Sequence, residues 1–191
     1  MSPLHRSRWL NLIFTLGLSL LLCTPSLAEN TTLLSIGPRF GFTGKAPLLG
    51  QEQKHTFYLA DVAAVFKLPW SLPLGESRWN IQTRLITSAG LLTGAGDSGL
   101  MMTVVPDLAL NGWDGLVTFD VGAGAAIFSR YKFGVQDFGG PVQILATTGI
   151  RINPIPHAYA GFRLQHFSDA GIYGSSGLGV DMYIVEVGYR F

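Results

Sequence analysis

The sequence predicts an all-β fold: an eight-stranded antiparallel up-and-down transmembrane β-barrel. Three observations lead to it. The chain is greasy, with positive mean hydropathy, only 13% charged residues, 24 Gly and 12 Phe. After the first 28 residues, no segment approaches the ~20 uninterrupted apolar residues of a membrane-spanning helix. Apolar side chains recur instead at alternate positions of short segments, the period of a strand with one face in lipid.

Residues 1–28 read as an export signal. His5, Arg6 and Arg8 form a basic n-region, Trp9 to Cys23 an apolar h-region, and Ser26-Leu27-Ala28 a small-x-small cleavage motif. The apolar run is short for a span and Pro25 follows it, so cleavage after Ala28 is expected. A lipoprotein signal is disfavoured because Leu22 stands before Cys23 where a small residue is usual. Residues 29–191 are then one barrel domain. The 163 residues left of 191 hold no cysteine, which excludes disulfides and thiol chemistry. Of the 13 basic residues Arg6 and Arg8 leave with the signal, so 11 face 12 acids, a net charge of −1 with no pull toward nucleic acid. Export of a greasy chain without helical spans points to the outer membrane of a Gram-negative bacterium.

Eight alternating segments can be laid out in order. The first sets Leu34, Ile36, Pro38, Phe40 and Phe42 against Ser35, Gly37, Arg39 and Gly41. The second sets Tyr58, Ala60, Val62, Ala64 and Phe66 against Asp61. The third sets Trp79, Ile81, Thr83 and Leu85 against Asn80, Gln82 and Arg84. The fourth has Met102, Val104, Pro106 and Leu108 against Thr103 and Asp107. The fifth has Val117, Phe119, Val121, Ala123 and Ile127 against Thr118, Asp120, Gly122 and Gly124. The sixth has Val142, Ile144, Ala146 and Ile150 against Gln143, Thr147 and Arg151. The seventh and eighth lie within Ala158 to Phe191. Breakers separate them, at 44–47, Pro69 to Gly75, 94–97, 111–115, 139–141, Asn153 to Pro156 and 174–177. Pro38 and Pro106 count against their strands, because proline cannot donate to a ladder.

The minority face carries Arg39, Asp61, Arg84, Asp107, Asp120, Arg151, Arg163, Glu186 and Arg190. An eight-stranded barrel has an interior just wide enough for side chains to fill, so near-balanced charges there predict a paired network in place of a water channel. The last segment alternates Tyr183, Val185, Val187, Tyr189 and Phe191, an aromatic-ended strand of the outer-membrane type.

The seventh segment is unusual. Ala160, Phe162, Leu164, His166 and Ser168 share a face, with Arg163 and Gln165 on the other. A merely wet face would group His and Ser with Arg163 and Gln165. They end the greasy row instead, and a base beside a hydroxyl is what nucleophilic catalysis needs. Asp181 shares the parity of Tyr183 and Val185, so the hydroxyl, imidazole and carboxylate are expected to meet on the lipid-facing wall. Ser168 is read as nucleophile, His166 as base and Asp181 as the group that orients the imidazole. Backbone amides of Asp169, Ala170 and Gly171 are candidate oxyanion donors. His55 and His157 lie on separate segments with no ligand spacing, so no metal and no cofactor is expected.

At His166-Phe-Ser-Asp-Ala-Gly-Ile the sequence resembles the PagL-type lipid A 3-O-deacylases, whose hallmark reads His-aromatic-Ser-Asn-Ala-Gly. The likeness extends through Phe119-Asp-Val-Gly-Ala-Gly-Ala-Ala-Ile-Phe-Ser, Gly161-Phe-Arg-Leu-Gln and Gly179-Val-Asp-Met-Tyr, clear over about the C-terminal 75 residues. The resemblance implies an eight-stranded outer-membrane barrel that hydrolyses the ester-linked 3-hydroxyacyl chain of lipid A with a Ser-His-acid triad on its outer wall. By position the triad maps to Ser168, His166 and Asp181, where the family has Glu as the acid. The family's Asn, a proposed oxyanion donor, is Asp169 here. Lipopolysaccharide and outer-membrane lipid are the expected partners, and a homodimer is left open. The competing readings are a non-enzymatic barrel with a vestigial site and a lipid A acyltransferase with an acyl channel inside the barrel.

Overall fold

The computed structural model describes residues 31–43, 53–174 and 179–191. The expected signal peptide lies outside them. Eight strands close a barrel: β1 (Thr32–Phe42), β2 (Phe57–Pro73), β3 (Asn80–Gly94), β4 (Asp97–Gly112), β5 (Val117–Phe128), β8 (Val142–Ile155), β9 (Ala158–Ser168) and β10 (Val180–Arg190). Neighbours pair antiparallel in chain order, and β1 closes on β10. A two-stranded hairpin, β6 (Lys132–Phe133) and β7 (Gln136–Asp137), lies in the connection between β5 and β8. Both ends of the barrel chain, Thr32 and Arg190, sit at one rim, here the terminal end. His166 and Ser168 close β9 at the opposite, far end.

The eight segments and their faces match the expectation. The row from Ile36 to Phe42 and the rows through Tyr58, Val62, Met102, Val104, Val121, Ile127, Val185 and Val187 point outward and are exposed. The strands outrun their predicted ends: β2 passes Pro69 to reach Pro73, and β8 passes Pro154 to reach Ile155. Each of those prolines lies at a shift in register, between Lys67 and Ser71 and between Ile152 and Ile155. Pro38 and Pro106 are likewise placed where the ladder to one neighbour lapses, toward β10 and toward β5. A missing N–H costs a strand nothing where no ladder bond is due.

The middle of the lumen is a network of ions. Arg39 pairs with Asp61, Arg84 with Asp107 and Asp120, Arg163 with Asp120, and Arg151 with Glu186. Three pairs reach across an intervening strand, Arg84–Asp120 over β4 and two more where that strand offers no side chain. Gly149 separates Asp120 from Arg163, and a Cβ there would stand 3.1 Å from the guanidinium carbon. Gly161 separates Arg151 from Glu186, and a Cβ there would stand 2.7 Å from the carboxylate.

Above the network, toward the far end, the lumen is apolar. Phe57, Phe128, Phe133, Phe138 and Phe167 pack ring on ring at centroid separations of 5.3–5.9 Å, with Leu145, Met182 and Ile184 buried in the same cluster. Phe133 and Phe138 belong to the β6–β7 hairpin region, which is folded inward as a cap. The sequence pattern had described only the polar half of this interior.

Candidate active site

Register brings two of the three expected side chains into contact. Asp181 stands directly opposite His166 in the β9–β10 ladder. Directly opposed residues have the closest side chains in an antiparallel pair, so the short Asp side chain reaches the ring: His166 Nδ1 donates to Asp181 Oδ1 at 2.6 Å. The carboxylate is nearly enclosed, with 3% of its side chain exposed against 22% for the imidazole. With Nδ1–H held by the carboxylate, Nε2 is left as the acceptor.

Ser168 follows on the same outward row. Among the described residues no hydrogen bond joins it to His166; its Oγ accepts the amide of Ala170 at 3.1 Å. The turn that aims this amide passes through left-handed backbone at Ala170 (φ 48) and Gly171 (φ 78). A non-glycine residue there stores roughly 1–2 kcal/mol of strain, and such strain gathers at functional sites.

Asp169 points the other way. It continues the inward row of Arg163, Gln165 and Phe167 and is buried. Its Oδ1 accepts the Gly171 amide at 3.0 Å, and its Oδ2 is buried with no partner among the described residues. The amides of Ala170 and Gly171 are thus both engaged within the turn. The Asp169 side chain acts within the turn and not on the wall.

Contacts that sequence reasoning missed hold this corner together. Gln53, 128 residues away in the chain, donates through Nε2 to the carbonyl of Asp181 at 3.2 Å. Its neighbours continue the stitching: the Lys54 amide donates to Gln136, and the Val135 amide donates to His55 Nε2. Gly179 lies against the imidazole, and a Cβ there would come within 2.9 Å of His166 Cε1. Tyr173 lies across Gly140, where a Cβ would meet its ring at 2.3 Å. Only the glycine-rich composition hinted at any of these.

Beside the His166–Asp181 pair the outer wall is hollowed into an open groove of about 260 Å3, lined by Val121, Ala146, Thr148 and Leu164 as well as the pair itself. Its apolar floor comes from small side chains on β8, which pairs with β9, and on β5 beyond it. The other histidines lie elsewhere. His157 turns Nδ1 to the Arg190 carbonyl at the terminal end. Among the described residues no group of three His, Cys, Asp or Glu side chains is placed to share a metal ion.

A family model described as lipid A 3-O-deacylase (PagL) matches residues 58–190. Among solved structures, one described as the outer membrane enzyme PagL superposes with a TM-score of 0.66 at 16% identity, covering 82% of this chain and 99% of that one. A NanC porin structure aligns over 84% of this chain and 100% of its own, at 8% identity and a TM-score of 0.33. No curated protein matches.

Proposed function

The chain belongs to the lipid A 3-O-deacylase (PagL) family, and from that premise we propose that it is a serine esterase that removes the 3-O-linked hydroxyacyl chain of lipid A. The barrel sits in the outer membrane, with the far end at the outer leaflet, where lipid A resides. The observation that supports the reading most is the 2.6 Å bond from His166 to Asp181 on the outer wall, two residues from a serine and beside an apolar groove.

The chemistry runs from Ser168. His166 Nε2 takes the Oγ proton as Oγ bonds to the acyl carbonyl carbon, and Asp181 stabilises the imidazolium that results. Catalytic hydrogen bonds are often long before substrate is bound, and Ser168 reaches the base by turning its side chain from the Ala170 amide. Once Oγ has turned away, that amide is free to donate to the carbonyl oxygen, where negative charge develops. Collapse breaks the bond to the sugar oxygen, which takes the proton from His166. Water, deprotonated by the same imidazole, then releases the hydroxy fatty acid and restores Ser168. The substrate arrives laterally from the leaflet, its acyl chain along the groove. The acyltransferase reading asks for an acyl channel inside the barrel, a space filled here by the aromatic cap and the ion network. A merely structural barrel gives no reason for a nearly enclosed carboxylate on the lipid-facing wall.

The test is mass spectrometry of lipid A from cells expressing the protein. Loss of one hydroxyacyl chain is expected, abolished by Ser168→Ala and by His166→Asn. Gain of a chain means transfer, and unchanged lipid A means a structural role.

A further inference from the structure

The eight charges of the mid-lumen network answer one another in full: four arginines, Arg39, Arg84, Arg151 and Arg163, against Asp61, Asp107, Asp120 and Glu186. At the terminal end this balance breaks. A cavity of about 260 Å3 lies inside the mouth below the network, faced by Lys67, Arg84, Arg151 and Arg190, with Asp114 the one carboxylate in its lining. Asp114 has its ion pair elsewhere, with exposed Arg78 at 3.8 Å. Lys67 and Arg190 continue the inward rows of β2 and β10, and neither enters an ion pair among the described residues. The mouth therefore holds two cations in excess.

Three of its neutral groups lean the same way, while Asn153, which donates to the Gly115 carbonyl, leaves its Oδ1 as an acceptor without a partner among the described residues. Thr118 Oγ1 donates to Asn111 Oδ1 at 2.9 Å, and Asn111 Nδ2 donates to Asn80 Oδ1 at 3.0 Å. Each link occupies a carbonyl oxygen, so the ladder ends on a donor, Asn80 Nδ2. Arg84 engages Nε and Nη2 with Asp107 and Asp120, which leaves its Nη1 without a partner among the described residues. A cavity lined by unanswered N–H donors and surplus positive charge selects an anion with several acceptor oxygens. Its volume admits one tetrahedral oxyanion with part of its hydration, since a water occupies ~30 Å3.

We propose that the terminal-end mouth is a binding site for a phosphate group, gripped by Lys67 and Arg190 and seated on Arg84 and Asn80. The site is at the opposite end of the barrel from His166 and is independent of the hydrolysis proposed above. Two sources share the chemistry: inorganic phosphate in the compartment that the mouth opens to, and the phosphate of an anionic lipid in the leaflet around the rim.

The experiment titrates the refolded full barrel with inorganic phosphate in a non-ionic detergent, at constant ionic strength made up with chloride, followed by calorimetry. A double variant, Lys67→Gln with Arg190→Gln, is compared with the parent after heat-modifiable gel migration shows both to be folded. Saturable binding of one phosphate per chain is expected, weakened at least about tenfold in the variant, the loss of ~1.4 kcal/mol. A second arm repeats the titration in phosphatidylcholine vesicles with and without phosphatidylglycerol. Phosphate binding suppressed by the anionic lipid assigns the seat to a headgroup, and binding equal in both assigns it to free phosphate. Absence of saturable binding in detergent, or equal binding by parent and variant, overturns the proposal.

Discussion

Asp181→Asn tests the proposed mechanism at its most exposed joint. The Asp181 carboxylate lies 2.6 Å from His166 Nδ1 and is almost wholly shielded from water. When Nε2 takes the serine proton, the ring becomes a cation whose charge centre is roughly 4 Å from the carboxylate. At an effective dielectric of about 20 that contact is worth about 4 kcal/mol, or roughly a thousandfold in rate. Asparagine keeps the size and removes the charge. Its amide can also turn an N–H toward Nδ1, which selects the tautomer that has no lone pair at Nε2.

The expectation is a fall in kcat of about three orders of magnitude with KM nearly unchanged, because the lost interaction exists mainly in the transition state. The assay is release of 3-hydroxy fatty acid from purified lipid A in mixed micelles, quantified by mass spectrometry, with folding checked by heat-modifiable migration. A folded variant that loses less than about tenfold, or loses only through KM, refutes the assignment of Asp181 as the partner of a catalytic imidazole.

Two further substitutions probe the same corner. Gly179→Ala puts a methyl 2.9 Å from His166 Cε1 and 3.0 Å from the Phe167 carbonyl. Displacing the ring lowers kcat on the order of 10- to 100-fold with the barrel intact; parental activity would mean the imidazole position is not critical. Asp169→Asn keeps the acceptor for the Gly171 amide and replaces the buried, unpartnered Oδ2. Exchanging a buried carboxylate for a neutral amide raises stability by at most about 1–3 kcal/mol, since the new Nδ2 is itself buried, read as a higher unfolding midpoint in denaturant, with activity at or above the parent. A loss of tenfold or more would give Asp169 a direct chemical role.

The barrel was legible because lipid enforces a strict period of two on every strand. Even the prolines were survivable, since Pro38, Pro69, Pro106 and Pro154 fall where ladders lapse or slip, a property of the pairing that no single segment can display. The outward placement of His166, Ser168 and Asp181 followed from parity alone. The apolar upper lumen did not. Phe57, Met101, Phe167 and Met182 occupy inward positions beside charged ones, and alternation cannot say at what height along the barrel an inward row changes from ions to rings. The Phe133–Phe138 cap and the Gln53 bond to Asp181 depend on loops meeting in space, and sequence spacing holds no trace of that.

The placement of Asp181 joins the fold to the chemistry. In the mid-lumen network each carboxylate faces a guanidinium, an arrangement that resolves those buried charges without reference to function. Asp181 is instead on the outward row, where a carboxylate in a lipid-facing strand is costly, and it hydrogen-bonds an imidazole, which answers a charge only when protonated. A stability-driven sequence would put an arginine or an apolar residue at one of the two positions. Under the proposed mechanism, keeping the weaker pair there, with Gly179 against the ring and the strand bonded to Gln53, is a departure from local rules of the kind that functional sites carry. The rigid lumen beneath serves that end. The aromatic cluster and the ion-pair network beneath it hold β9 and β10 in register, and register sets His166 opposite Asp181 within hydrogen-bond reach.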